Sequence, residues 1–245
     1  MSRTSAESST TPAPPLIGAA DLARLPCVRR LPGRNRTKAD ILVRRFDDCE
    51  IAVKDYRRCP WWIRQTLGRF LIRRESAAYR AAAGLPGVPH FFGRIGSFAL
   101  ATRWIQARTL AEFPDGTVEP GRFDRLQAIL EGMHARGIAL ADLNHRDVLV
   151  DGAGEVWVID LATAWVAGRR PGRLRRRLFE HFRASDLFAL ARLRARFVGE
   201  DAAGAVASTG ASAVAWHRRA RRLKWYWDRL RGAERLPPIN DHWRF

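Results

Sequence analysis

Three segments in the first hundred residues mix short apolar runs with polar positions over strand-like lengths and read as strands: ADILVRRF (39–46), CEIAVKDY (49–56) and SFALATRW (97–104). Only Asp47 and Asp48 separate the first two, a compact turn that predicts a hairpin. Between the hairpin and the third strand, residues 61–84 place Trp62, Ile63, Leu67, Phe70, Leu71 and Tyr79 partly at helical spacing. Gly84, followed by Pro86, ends that pattern. The first half therefore predicts β-β-α-β. Residues 105–121 are polar and turn-rich, without sustained periodicity, and read as a connector. In 122–137, Phe123, Leu126, Ile129, Leu130 and Met133 line one face of an amphipathic helix, and Gly137 supplies its stop. Beyond a basic loop at 166–177 the pattern is helical through Leu230. The expected architecture is α+β in two lobes: a small, mixed, β-rich N-lobe at 21–104 and a reduced, mainly helical C-lobe at 122–245. Residues 105–121 form the hinge, and 1–20 a disordered tail rich in Ser, Thr, Pro and Ala.

Leu140 to Ala164, LADLNHRDVLVDGAGEVWVIDLATA, holds four aspartates in a largely apolar run. VLV (148–150) and VWVI (156–159) suit short buried strands, and DGAG (151–154) between them suits a tight turn. The resulting antiparallel hairpin carries Asp147 on one leg of its open end and Asp160 on the other. Paired strands lie about 4.5–5.5 Å apart, so two carboxylates there repel unless a cation sits between them. Mg²⁺, which prefers hard oxygen ligands, is the natural neutraliser. Asp142 stands five residues before Asp147, in the loop leading to the hairpin, within reach of whatever that metal holds. These residues predict a metal and phosphate site.

Charge adds to this picture. The chain has 43 Lys and Arg against 25 Asp and Glu, a formal +18, which favours anionic partners such as nucleotides, phosphorylated sugars or an anionic membrane surface. Arginines crowd 168–183, directly after Asp160, and 216–232 interleaves Arg with Trp and Tyr, a composition suited to peripheral contact with an anionic bilayer. Cys27, Cys49 and Cys59 lack zinc-ligand spacing and read as reduced thiols. With no apolar run long enough to cross a bilayer, and no secretory-type N-terminus, the expected location is cytoplasmic, with peripheral contact at the inner face of the membrane. No helix-turn-helix, zinc or RNA-stacking motif supports specific nucleic acid recognition.

The order and gaps of these residues resemble the catalytic core of the protein-kinase-like superfamily over roughly 30–200. DLNHRD gives a loop acid, Asp142, with a metal-site residue, Asp147, five positions on. IDLA supplies a second metal acid, Asp160, eighteen positions after Asp142. IAVKDY is similar to the strand whose lysine holds the α and β phosphates, and so nominates Lys54. RRESAAY supplies Glu75 as that lysine's partner, and ASDLFALARL nominates Asp186 as the buried brace of the catalytic loop. In character the chain looks most like bacterial lipopolysaccharide core sugar (Kdo/heptose) kinases and RIO-type kinases.

That resemblance implies a protein-kinase-like fold and transfer of the γ-phosphoryl group of Mg-ATP to a hydroxyl, on a lipopolysaccharide core sugar or a protein Ser/Thr, with an anionic acceptor. Lys54, Glu75 and Gly33 would bind ATP, and Asp147 and Asp160 would hold Mg²⁺. Asp142 would act on the attacking hydroxyl, and the adenine would lie near Trp104–Gln106. The chain departs from the family pattern at several positions. Leu140-Ala141 stand where His-Arg is usual, Asp147 where Asn is usual, and Asp-Leu-Ala follows without a glycine. LPGRNRTKADIL has the single glycine Gly33 in the phosphate-covering loop. The alternative is an inactive pseudokinase acting as a regulatory partner.

Overall fold

A computed structural model describes residues 22–199 of the chain except residues 23, 34, 169 and 170. The expected tail at 1–20 and the basic block at 216–232 lie outside the described residues. The fold is mixed α+β. Its largest sheet is antiparallel, in the order β1-β2-β3-β5-β4, built from β1 (Cys27–Leu31), β2 (Asp40–Phe46), β3 (Cys49–Asp55), β4 (Phe91–Ile95) and β5 (Ala99–Arg103). The Asp47-Asp48 hairpin forms as the compact turn predicts, with Phe46 opposite Cys49 and Asp47 at a positive φ of 47°. Strands β1 and β4 are additions to the sequence expectation.

Alternation along β3 decides what each face of the sheet does. Ile51 and Val53 point to one side, into a core with Leu22, Phe92, Ile95, Ala99 and Ala101. Lys54 therefore points to the other, as does Leu100, its register partner on β5, which packs in the main core. That second face receives helix α1 (Arg69–Ala81).

The helical segment before α1 is irregular: Trp61–Ile63 opens it, and Arg64–Gly68 forms a π turn. Gly68 is needed here, because a Cβ on it would lie 3.1 Å from the Tyr56 Cβ. Helix α1 buries Ile72, Glu75, Ser76, Ala78 and Tyr79, and the Tyr79 ring stacks on Phe91 with centroids 5.7 Å apart.

The remainder packs around helix α2 (Pro120–Ala135), which buries the apolar stripe read from the sequence: Phe123, Leu126, Ile129, Leu130 and Met133. Pro120 opens it at a position where no intrahelical N–H is required, and Gly137, at φ 72°, follows its end. Two small sheets flank it. One runs β6-β8-β9, from β6 (Ala107–Thr109), β8 (Val148–Asp151) and β9 (Val156–Val158). The other pairs β7 (Ile138–Ala139) with β10 (Trp165–Val166). The segment expected as a plain connector thus contributes a strand, because Ala107–Thr109 pairs with the exposed edge of β8. Helix α3 (Arg173–Val198) closes the core with Phe179, Ala189, Leu190, Leu193 and Phe197. The expected loop at 166–177 is correspondingly shorter, with the helix under way by Arg173.

Candidate functional site

Lys54 projects from β3 between two carboxylates from distant parts of the chain. Its Nζ lies 2.9 Å from Glu75 Oε2 on α1 and 2.8 Å from Asp160 Oδ1. The Lys54 and Glu75 side chains are 15% and 2% exposed, while Asp160 is 50% exposed, so the pair is anchored inside and presents its charge outward through Asp160. Burial works to lower the lysine's pKa, but Glu75 and then Asp160 outweigh it and hold the ammonium form well above its ordinary range. Burial raises Glu75 to about 7, against the pull of Lys54. Asp160 falls below its ordinary value: burial opposes this, and Lys54 overcomes it by charge and hydrogen bond. The Tyr79 hydroxyl, from the turn after Glu75, meets the Asp160 backbone.

The hairpin has the register Val148↔Val158, Leu149↔Trp157, Val150↔Val156. Ile159 donates its N–H to the Asp147 carbonyl at 2.8 Å, so Asp160 stands one residue beyond the partner of Asp147 rather than opposite it. Asp160 adopts a left-handed backbone, φ 60° and ψ 70°, and its side chain accepts a hydrogen bond from the Ala162 amide at 3.4 Å. The fourth aspartate, Asp151, is a turn residue: its carboxylate accepts from the amides of Ala153 and Glu155 and from the Trp157 indole.

Asp147 is the carboxyl least reconciled with its surroundings. Burial, Asp160 and Asp142 together raise it to about 8, which locates Asp142, itself exposed, within electrostatic reach of the pair. Asn144 donates its side-chain amide to Asp147 and accepts from the Arg146 amide, fixing the loop. Two devices thus relieve the crowded carboxylates here: Lys54 on Asp160 and a retained proton on Asp147. In the metal-free protein, Asp147 keeps between 3.8 and about 8 a proton that the unfolded chain has released. This contribution therefore lowers stability as pH rises through that window. Asp147→Asn removes it while leaving an oxygen to accept from Asn144. The variant's melting temperature relative to wild type is expected to climb steadily from pH 5 to about pH 8. A pH-independent difference in melting scans without metal contradicts this.

Asp186, fully buried on α3, binds the start of the loop that carries Asp142 and Asp147. Its two oxygens accept from the Leu140 amide at 2.8 Å and the Ala141 amide at 2.9 Å. His134 Nε2, from α2, makes a third contact at 2.9 Å. Burial raises the Asp186 pKa, against the pull of His134 and both amides. Ala141, directly before Asp142, has φ 67°, a conformation costing about 1 kcal/mol or more for a residue with a Cβ. The two amide bonds to Asp186 hold it there. On the other side, Thr163 donates its hydroxyl to the Leu140 carbonyl, and Arg74 of α1 donates to the carbonyls of Thr163 and Ala164. Asp142, Asp160 and Glu75 are thus tied into one frame. His134, Asn144 and Arg74 were missed by sequence reasoning; Arg74 and Asn144 at least stand within two positions of nominated residues, whereas nothing local marks His134.

Gly33 occupies a tight turn. A Cβ on it would lie 2.4 Å from the Lys38 carbonyl oxygen, and its amide donates to Asp40 Oδ1 at 3.0 Å. Burial would raise Asp40, but the Gly33 amide and Arg30 hold it below the usual carboxylate range. Since the Gly33 N–H is already committed, its part in the loop is to allow the close turn. A concavity of about 290 Å³ beside it is lined by Asn35, Arg36, Lys38 and Arg58.

Among the described residues no group of three or more His, Cys, Asp and Glu is placed to hold a metal by protein ligands alone. Asp147 and Asp160 offer two carboxylates, which fits Mg²⁺ in its usual setting, where one or two carboxylates act together with phosphate oxygens and water. No protein-family model matches the sequence, and no curated protein matches it closely enough to count as a relative.

Proposed function

We propose that this chain is an ATP-dependent phosphotransferase with a bilobal protein-kinase-like arrangement, acting on a hydroxyl of an anionic acceptor. The observation that carries the reading is Lys54, from a sheet strand, held by Glu75 of the adjacent helix and by Asp160 at the hairpin exit, beside Asp147 and Asp142. Five nominated residues separated by up to 106 positions meet in one small region, and a sixth, Asp186, braces the loop between them.

Phosphoryl transfer depends on positioning and charge neutralisation more than on covalent chemistry. Lys54 would meet the α and β phosphates, its charge secured by Glu75 when Asp160 turns to other work. Asp147 and Asp160 would hold Mg²⁺, which screens the phosphate oxygens. Asp142, exposed at the rim, would orient the acceptor hydroxyl and take its proton. The exposed arginines Arg173, Arg176 and Arg177 on the first turns of α3, beside Glu180, support an acceptor carrying phosphate or carboxylate, such as a lipopolysaccharide core sugar. A protein Ser/Thr acceptor uses the same chemistry.

The test is incubation of purified protein with γ-labelled ATP and fractionated cell envelope. Label is expected in a glycolipid fraction; label on protein Ser or Thr moves the acceptor while keeping the reaction. Asp142→Asn is expected to lower transfer by about two orders of magnitude or more while leaving the affinity for a non-hydrolysable ATP analogue unchanged. A second reading, a nucleotide-binding partner without turnover, draws on the acid at position 147 and its raised pKa. Mg²⁺-dependent ATP consumption by the purified wild type excludes it.

A further inference from the structure

Three of the largest exposed apolar side chains lie together in sequence: Trp61 at 68% exposure, Trp62 at 61% and Phe70 at 58%. The π turn brings them toward one face. Eight residues of regular α-helix advance about 80° around the axis, which would carry Phe70 away from Trp62. The π turn over Arg64–Gly68 absorbs one residue and returns Phe70 to within about 20° of Trp62. The Thr66 hydroxyl donates to the Trp62 carbonyl at 2.6 Å and secures the widened turn.

The surround is of one sign. Residues 57–74 contain six arginines and no Asp or Glu. Arg57 is engaged by Asp55, and Arg74 by the carbonyls of Thr163 and Ala164. Arg58, Arg69 and Arg73 are exposed on the same segment, Arg69 also donating to Gln65 at 3.1 Å and lying over the Phe98 ring, and Arg58 also lining the concavity at Gly33. Exposed indole rings on a segment with six arginines and no acid in its sequence match a bilayer interface: the rings settle at headgroup depth and the arginines meet anionic phosphates. A partner recognised by acidic charge alone would account for the arginines but not for three uncovered aromatics. We infer that the face formed by Trp61, Trp62 and Phe70, with Arg58, Arg69 and Arg73, docks the protein on the surface of an anionic lipid bilayer. This inference is independent of the phosphotransfer reading. It also places the contact on a different segment from the basic block at 216–232.

Co-sedimentation of the full chain with vesicles tests it, comparing pure phosphatidylcholine with mixtures containing phosphatidylglycerol. Wild type is expected to bind the anionic vesicles preferentially, more weakly as salt rises. Replacing Trp61, Trp62 and Phe70 together by Ser is expected to lower the partition coefficient at least about tenfold with no loss of melting temperature. Arg58→Glu, Arg69→Glu and Arg73→Glu together, with the aromatics intact, should abolish the preference for anionic lipid. Serine variants that bind within about twofold of wild type overturn the inference and assign any membrane contact to another segment. A wild-type dimer in sedimentation velocity that becomes monomeric in the serine variant also overturns it, in favour of self-association.

Discussion

Asp160→Asn is expected to reduce Mg²⁺-dependent ATP turnover by about three orders of magnitude while leaving the fold intact. Asparagine is the informative replacement. It tolerates the left-handed backbone of Asp160, φ 60°, and keeps an oxygen for the Ala162 amide, so local geometry survives. What it removes is charge: the anion 2.8 Å from Lys54 and, with it, the more exposed of the two carboxylates able to hold Mg²⁺. Lys54 retains Glu75 at 2.9 Å, which keeps the lysine from becoming an isolated buried cation. Steady-state ATP consumption with and without Mg²⁺, alongside a melting scan, checks the claim. Turnover within tenfold of wild type, at unchanged melting temperature, is incompatible with the proposed role.

Asp186→Ala is expected to produce the largest loss of stability of any single change at this site, about 3–5 kcal/mol. The side chain is fully buried and accepts from two backbone amides and His134, so truncation leaves three polar groups facing a dry cavity. Against a total of about 5–15 kcal/mol for a typical domain, that is enough to threaten folding near body temperature. The milder Asp186→Asn separates bracing from stability. Its amide must turn an N–H₂ toward at least one of the three donors, so Ala141 loses part of what holds it at φ 67° and Asp142 loses its fixed approach. Denaturant unfolding is expected to order the proteins wild type, Asn, Ala. Turnover should fall in the Asn variant even at temperatures where it is folded. An Asn variant with wild-type stability and turnover leaves Asp186 as an incidental buried acid.

The parts of this site legible in the sequence were those fixed by short-range pattern. The two apolar triplets around DGAG gave the hairpin with Asp147 and Asp160 at its open end and Asp142 just upstream, a metal and phosphate site read before any resemblance. Resemblance then named Lys54, Glu75 and Asp186, which local pattern alone left as an ordinary strand residue and helix acids. The illegible parts depend on partners far along the chain. His134 reads as the polar side of an amphipathic helix until α3 delivers Asp186 to it. Arg74 is one of several arginines until the turn after Asp160 offers two carbonyls.

Strands failed to register where their pattern was broken. CVRRL in β1 is exposed throughout, β4 is interrupted by Gly93 at φ 129°, and three residues of β6 have a role only because β8 has an open edge. Helix α3 began earlier than expected because its first turns, RLRRR, have almost no apolar residues for a periodicity to act on. Lys54, 2.8 Å from Asp160, adds a neutralising charge that the hairpin pattern alone did not reveal.

The central claim, that Lys54, Asp160 and Asp147 together hold a magnesium nucleotide, is tested most directly by calorimetric titration of the full chain with a non-hydrolysable ATP analogue, in Mg²⁺ and in EDTA. Saturable binding that weakens at least about tenfold on removing Mg²⁺, and by a similar factor in Asp160→Asn, is the predicted result. Affinity that is the same with and without Mg²⁺, or no binding at all by the folded wild type, contradicts the account.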